Sequence, residues 1–341
     1  MSASPSSLPP TIYLDVVDMG RRVSKEQGPF VPFLRQHFNV ELVDDPDFLI
    51  YSDGSEVHRL YTCKKIYWTP EVYRPDFSEC DYAITTHLID DPRHLRLPLF
   101  AGWIPAQDLI KGPGEYEKWR PLKKEFCCYF SSYVSRKTRH RHEFFENLSR
   151  YRQVHAAGKA FNNIGRTIPF DPQAKHEFLS GYKFYMAFEN TSVPGYTTEK
   201  IVEAMRARCI PIYWGNPRIA EDFNPASFIN AHDFPSPDAL IKHIRRVDQD
   251  EQLYRQYLEA PFFHDNKPSP CFGSERLLQF FRHVFSDPTP PVASRRRNRW
   301  MLIKRKKPHR MSWMSPETPR PVALTEQKAT ATAGTATQEH R

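Results

Sequence analysis

The sequence predicts an α/β protein built from two Rossmann-like parallel-sheet domains that face each other across a cleft. Apolar runs of strand length alternate with helical or irregular pieces from residue 11 onward, and the pattern starts afresh after a proline-bearing stretch near residue 115. The chain of 341 residues, 40% hydrophobic and 13% aromatic, is long for one core and ample for two.

In order, the first half offers strands at TIYLDVV (11 to 17), NVELV (39 to 43), DFLIYSD (47 to 53), KKIYWT (64 to 69) and DYAITTH (81 to 87). A loop-like stretch, LRLPLFAGWIPAQDLIKGPGEYEKW, closes this domain, taken as residues 1–115. The second domain, 116–286, opens with EFCCYFSS, continues through a basic loop to the helix HEFFENLSRY, and then carries KFYMAFEN, a TEK helix, IPIYWG, SFINAHDF and helices near 236 to 260. A final amphipathic pattern, SERLLQFFRHVF (274 to 285), is placed to cross back onto the first domain. No repeat of solenoid period is present.

The charge is uneven. Of the net +8, all belongs to residues beyond Ser286, where 12 basic residues stand against four acidic ones. Residues 287–341 are read as a basic, then low-complexity tail. Within it the segment 295–313 sandwiches Trp300, Met301, Leu302 and Ile303 between basic clusters, a pattern that suits an anionic membrane surface and equally a solvated tail. Binding to nucleic acid is not expected, because no aromatic-basic module for base recognition appears elsewhere. The N-terminus has neither a basic start nor an apolar core of a secretory signal, and no apolar run approaches the roughly 20 residues of a membrane span. A cytoplasmic protein is expected, peripheral to the inner face of the membrane if the tail binds there. The six cysteines show no C-x-x-C spacing and read as buried thiols.

The block from Phe184 to Phe234 is the most informative. An apolar strand delivers Glu189 and Asn190, a Pro-Gly turn follows, and Tyr196-Thr-Thr-Glu-Lys200 opens a helix that leads to the buried strand CIPIYWG. The first turn of a helix presents unpaired N–H groups and the positive end of its dipole, so a phosphate suits it; Thr197 or Thr198 is placed to cap, and Lys200 to add charge. Glu189 and Glu199 would repel phosphate and are better used as acceptors for sugar or ribose hydroxyls. Taken alone, a T-T-E-K sequence fits any βαβ unit with ordinary caps.

Its company narrows the reading. A strand ending F-E-N-T, a Y-T-T-E-K helix, the strand I-P-I-Y-W-G and the segment D-F-N-P-A-S-F-I occur in this order, and together they resemble the signature of the α-1,3/1,4-fucosyltransferases, glycosyltransferase family 10, bacterial type. Thr191 stands where the family has Ser. The resemblance implies a GT-B fold and an inverting transfer of L-fucose from GDP-β-L-fucose to a hydroxyl of an N-acetylglucosamine-containing glycan, forming an α-1,3 linkage. The acceptor would be an oligosaccharide or glycolipid such as lipopolysaccharide. The absence of an apolar span also departs from the membrane-anchored Golgi layout of animal relatives.

Such a transfer needs a base for the acceptor hydroxyl and positive charge for the departing diphosphate. Glu71 is the expected base. It follows the strand KKIYWT at its carboxyl end, and YWTPEVYRPDF looks like the family's F-Y-T-G-E-N segment, with Pro70 in place of Gly and Val72 in place of Asn. Asp76, Glu79 and Asp81 are its rivals. For the diphosphate, Lys200 is joined by Arg141, which alignment on EFFENL puts at the family's diphosphate-binding Arg; Arg136, Lys137 and Arg139 read as solvated loop residues. By the same resemblance Asn190, Tyr196 and Glu199 contact nucleoside or fucose. No metal is expected, since Asp45-Pro-Asp47 and Asp248-Gln-Asp250 lie outside the donor block and the histidines show no ligand spacing. Two other readings stay open: the same class of enzyme with another nucleotide sugar, or a non-catalytic glycan or nucleic-acid binder that uses the tail.

Overall fold

A computed structural model describes residues 10–20, 24–131, 135, 138–169 and 171–292. They belong to one compact unit, Met1–Arg296; the segment 295–313 and the rest of the tail lie outside the described residues, as do Arg136 and Lys137.

Six strands form a first sheet: β1 (Ile12–Val17), β2 (Val40–Leu42), β3 (Phe48–Tyr51), β4 (Lys64–Thr69), β5 (Tyr82–Thr85) and β6 (His94–Arg96), in the order β2-β1-β3-β4-β5-β6 and all parallel. Among the described residues, one short α-helix, α1 (Val31–His37), and two 3-10 turns, Lys25–Gln27 and Val57–Leu60, lie between its strands. Leu14, Val16, Ile50, Ile66 and Ile84 share the face against which α1 packs. Tyr51, Tyr67 and Ala83 point to the other face and pack with Cys80 and Phe77 of the loops.

The second sheet holds β7 (Glu125–Tyr129), β8 (Val154–Ala156), β9 (Tyr182–Phe188), β10 (Ile210–Trp214) and β11 (Ile229–Asn230) in the order β11-β10-β9-β7-β8, again parallel. Helices α2 (Glu115–Trp119), α3 (Arg139–Tyr151), α4 (Pro172–Leu179), α5 (Glu199–Arg206), α6 (Pro237–Gln249) and α7 (Glu251–Glu259) surround it. Strand β9 is buried along its whole length, which is why Phe184–Phe188 reads as an unbroken apolar run rather than an alternation. The reversal of strand order falls between β7 and β9, and in such a sheet the crevice beyond the carboxyl ends at that point is where ligands bind.

Helix α8 (Ser274–Ser286) returns to the first sheet, burying Phe280, Phe281 and Val284 beside Phe30 and Phe48. Two short strands, β6 and β8, are not among those read from the sequence; β6 overlaps the start of the loop-like stretch. Phe100, Ile104 and Leu109 pack into the second core, so the chain changes core at about residue 99 although its second sheet begins at Glu125. The domains are joined by a buried clamp. Arg96, at the end of β6, donates to both oxygens of Asp222 (2.7 and 2.6 Å) and to the Gly195 carbonyl (3.3 Å), while the Thr86 hydroxyl donates to that same carbonyl at 2.6 Å. Gly195 has φ +89°, and a Cβ there would stand 2.5 Å from the Thr86 carbonyl, so only glycine lets the turn approach this closely.

In the stretch of chain that connects the two sheets, Lys111 and Lys123 use buried ammonium groups to close helix ends of the second domain. Lys123 donates to Ser180 and Ala207 carbonyls at the ends of α4 and α5, and Lys111 donates to Leu258 and Ala260 at the end of α7, each bond 2.6–2.8 Å. Burial, with Arg208 nearby, pulls the Lys111 pKa down to about 7. In the unfolded chain Lys111 holds its proton to about pH 10.4. Between pH 7 and 10 the unfolded state therefore binds the extra proton, and the Lys111 contribution to stability rises with pH. Comparing denaturant unfolding of the protein with its Lys111→Met variant, the wild type should gain on the variant by up to about 1.4 kcal/mol per pH unit over this range.

Candidate functional site

At the carboxyl end of β9 the chain must turn while carrying Glu189 inward. The Glu189 N–H donates to the Trp214 carbonyl of β10 at 2.7 Å, which aims the side chain across residue 215. A Cβ at Gly215 would lie 2.4 Å from Glu189 Cγ, so glycine is required there for steric reasons. Glu189 is completely buried. Its Oε1 accepts the Thr198 N–H at 2.7 Å, its Oε2 accepts the Thr198 hydroxyl at 2.7 Å, and Oε2 also accepts Lys200 Nζ at 2.9 Å.

This corrects two readings of the sequence. Glu189 does not face a ligand hydroxyl: both its oxygens are used inside the protein. Nor does a threonine cap α5; Thr198 sits at the cap position, but its hydroxyl turns to Glu189, whose carboxylate does the capping. The physical reason is that a carboxylate compensates an unpaired N–H and the helix dipole better than a hydroxyl does.

Lys200 lies between carboxylates, 2.9 Å from Glu189 and 3.5 Å from Glu199. Burial alone would lower its pKa, but Glu189, Glu199 and Tyr196 outweigh that and hold it charged well above the usual range. Burial pushes the Glu199 carboxyl up, and Lys200, its own backbone N–H, Lys175 and the Thr198 hydroxyl together more than reverse this, leaving it below its usual value.

Arg141 stands in the first turn of α3 and is 3% exposed. It donates to Asn190 Oδ1, to the Tyr129 hydroxyl (3.1 Å) and to Ser131 Oγ (3.2 Å). Among the described residues no carboxylate pairs with it. A buried guanidinium held only by neutral groups, at a helix start where the dipole opposes it, is a strong site for an anion. Arg141, Asn190, Glu199 and Lys200 line one cavity of about 440 Å³ at the reversal point between β7 and β9.

Lys159 and Lys175 also line this cavity, and the sequence reading passed over both. Lys175 is taken up by Glu203 (2.9 and 3.0 Å). Lys159 is exposed and follows Gly158, whose missing Cβ would otherwise stand 2.1 Å from the Ser131 carbonyl. A glycine-lysine pair after a three-residue strand was the available signal, and the strand was too short to be seen.

Glu71 and Tyr196 do not line that cavity; the structure brings them to each other. Glu71 is exposed just past the end of β4, and the buried Tyr196 hydroxyl donates to its Oε2 at 3.5 Å. Burial, then Glu189 and Glu71, keeps the Tyr196 phenol protonated far above neutral pH. Of the rivals to Glu71, Asp81 is buried and accepts the backbone N–H groups of Lys65 and Val292, and Asp76 caps its own turn at Ser78. Asp248 is engaged by Lys183, Tyr151 and Arg152, and among the described residues no group of three His, Cys, Asp or Glu side chains is disposed to hold a metal ion.

Residues 14–103 match the model of the α-(1,3)-fucosyltransferase FucT N-terminal domain, and residues 120–262 match that of glycosyltransferase family 10 (fucosyltransferase) C-term. The chain belongs to glycosyltransferase family 10. Similar family members include the α-(1,3)-fucosyltransferase FucT of Helicobacter pylori, 31% identical over 267 residues that cover 66% of this chain and 54% of the relative. The α-(1,4)-fucosyltransferase of Arabidopsis thaliana is 27% identical over 234 residues, covering 63% of this chain and 56% of that one. The chain thus spans about half the length of these curated relatives. Among solved structures, an α1,3-fucosyltransferase with GDP superposes with a TM-score of 0.69 at 27% identity, over 85% of this chain and 94% of the other. The form with GDP-fucose gives 0.67 at 26%, with the same coverage. The family-10 fold of this chain is GT-B: two parallel-sheet domains with the carboxyl ends of their strands turned to one interface.

The internal use of Glu189 is open to measurement. Replacing it by alanine orphans the Thr198 N–H and leaves Lys200 with Glu199 as its one close carboxylate among the described residues, so Glu189→Ala should lose about 3 kcal/mol or more of stability in denaturant unfolding. A ligand-facing acceptor would cost far less.

Proposed function

We propose that this family-10 chain is an inverting fucosyltransferase that moves L-fucose from GDP-β-L-fucose to a hydroxyl of a glycan. The observation that carries the reading is the buried Arg141, without a carboxylate among the described residues, in a cavity at the reversal point of the second sheet. A diphosphate supplies the missing anion. Lys200 and Lys159 add charge on the same cavity, and Asn190 orients the Arg141 fork. Likeness to α1,3-fucosyltransferase structures with GDP and GDP-fucose supports this donor.

In this reading the acceptor oxygen attacks the anomeric carbon from the face opposite the diphosphate. Its proton passes to Glu71 as the new C–O bond forms and the bond to the leaving phosphate oxygen breaks. Negative charge that grows on the diphosphate is met by Arg141 and Lys200. Tyr196, which touches Glu71, lies on the segment that also carries Glu199 and Lys200, so donor and base are linked through a few residues. Displacement in one step converts the β-linked donor to an α-linked product.

We further infer that the acceptor carries N-acetylglucosamine and receives fucose at O3, and that it is a glycolipid of the lipopolysaccharide type reached from the cytoplasmic face. Similarity to the α-(1,3)-fucosyltransferase of Helicobacter pylori supports the linkage. The basic and apolar composition of 295–313 supports membrane contact, and among the described residues no helix is long and apolar enough to cross a membrane.

Incubation with GDP-fucose and N-acetyllactosamine, read by mass and linkage analysis, should show addition of one deoxyhexose; a folded protein that transfers nothing across a broad acceptor panel defeats the proposal. Glu71→Gln should lower kcat by at least about 100-fold while GDP still raises the melting temperature, and Arg141→Met should remove most of that GDP-induced rise. UDP and CMP should stabilise little. Removing residues 293–341 should abolish sedimentation with vesicles containing phosphatidylglycerol and leave transfer to a soluble acceptor near the full rate.

A further inference from the structure

The first sheet also has a reversal point, between β1 and β3, and Asp53 stands just beyond it at the carboxyl end of β3. Although exposed, Asp53 has both oxygens engaged by neighbours on β4. The Tyr67 hydroxyl donates to Oδ1 at 2.5 Å, and the fully buried Thr69 hydroxyl donates to Oδ2 at 2.6 Å. A threonine hydroxyl has one proton and two lone pairs. With its proton committed to Asp53, the oxygen of Thr69 presents a lone pair to the backbone, where it accepts the Glu71 N–H at 3.2 Å.

Pro70 lies inside this small ring. Its fixed φ removes the freedom that glycine would have at the same place, so the turn Thr69-Pro70-Glu71 is held by the pyrrolidine ring and by the hydroxyl. From the other domain, the Tyr196 hydroxyl reaches the Glu71 carboxylate itself. The backbone of Glu71 is thus set from its own sheet and its side chain from the donor-side domain.

We infer that Asp53 is a positioning residue for the transfer: it fixes the Thr69 hydroxyl, which fixes the Glu71 backbone, so that the Glu71 carboxylate meets the acceptor proton. The inference rests on Glu71 as the base. Asp53 touches neither reacting atom, and its effect is confined to the chemical step. Loss of the relay leaves the donor cavity intact and displaces the carboxylate by a fraction of an ångström to an ångström, which costs about ten- to a hundredfold in rate.

The test uses the full-length protein and the variants Asp53→Asn, Thr69→Val, Thr69→Ser, the double Asp53→Asn/Thr69→Val, and Glu71→Gln. Steady-state kcat and KM for GDP-fucose are measured beside the GDP-induced melting shift. Asp53→Asn and Thr69→Val should each lower kcat about ten- to a hundredfold, with KM for donor and the GDP shift within about twofold of wild type. Thr69→Ser, which keeps the hydroxyl, should stay within about threefold. The double variant should be no slower than the slower single one, because both act on one relay. A normal kcat in Asp53→Asn, a Thr69→Ser as slow as Thr69→Val, multiplicative losses in the double variant, or a parallel loss of GDP binding overturns the inference. Glu71→Gln separates the two claims. If it is inactive while Asp53→Asn and Thr69→Val are normal, only the relay falls; if it turns over normally, the base reading falls and the relay with it.

Discussion

The carboxylate of Glu189 is the constraint on which the donor half of this molecule is arranged. Burying an ion costs several kcal/mol, and here the cost is offset by a helix-start N–H, a threonine hydroxyl and an ammonium, all within 2.9 Å. Each requirement selects a neighbour. Residue 215 must be glycine because the Glu189 stem passes where a Cβ would be. Residue 198 supplies both a backbone donor and a hydroxyl, and Lys200 must reach back from the first turn of α5. The same lysine borders the cavity, so an interaction that stabilises the fold also sets a charge beside the ligand space.

Arg141 is the opposite case. It is buried without a compensating anion among the described residues, and the protein spends three neutral hydrogen bonds to hold it still. Stability would be better served by an apolar residue at this position. The cavity combines a self-sufficient ion cluster around Lys200 with an incomplete one at Arg141, and it is the incompleteness that identifies the anion-binding wall.

The two domains are tied where the chemistry needs a fixed separation. Arg96 grips Asp222 and the Gly195 carbonyl, Thr86 grips the same carbonyl, and the next residue is Tyr196, whose hydroxyl meets Glu71. A turn that carries φ +89° and admits no side chain is thereby pressed against the first domain. That short path places a first-domain carboxylate beside the segment that carries the donor-side residues. Helix α8 covers the first sheet after the chain has completed the second, so the first core is built from two separate stretches of sequence, whereas the second is built from one.

Much of this was legible in the sequence. A long strand buried on both faces, such as β9, leaves a continuous apolar run over Phe184–Phe188, and the motif block from Phe184 to Phe234 carried the family through residue types that are chemically varied and fixed in order. Strands β6 and β8 were not legible, because three residues bear no periodicity and are strands only through the neighbour they pair with. The segment from Phe100 to Leu109 holds only short 3-10 turns, Leu99–Gly102 and Ala106–Leu109, and only packing shows that it belongs to the second core. The sequence by itself determined the alternating architecture, the donor block and the candidate ions. The tertiary structure alone decided how those ions divide: which carboxylate is consumed as a helix cap, which cation is left without a carboxylate among the described residues, and which glutamate a tyrosine from the other domain touches. Charge and residue type are local properties of the chain, whereas burial and pairing depend on what distant segments bring within 3 Å.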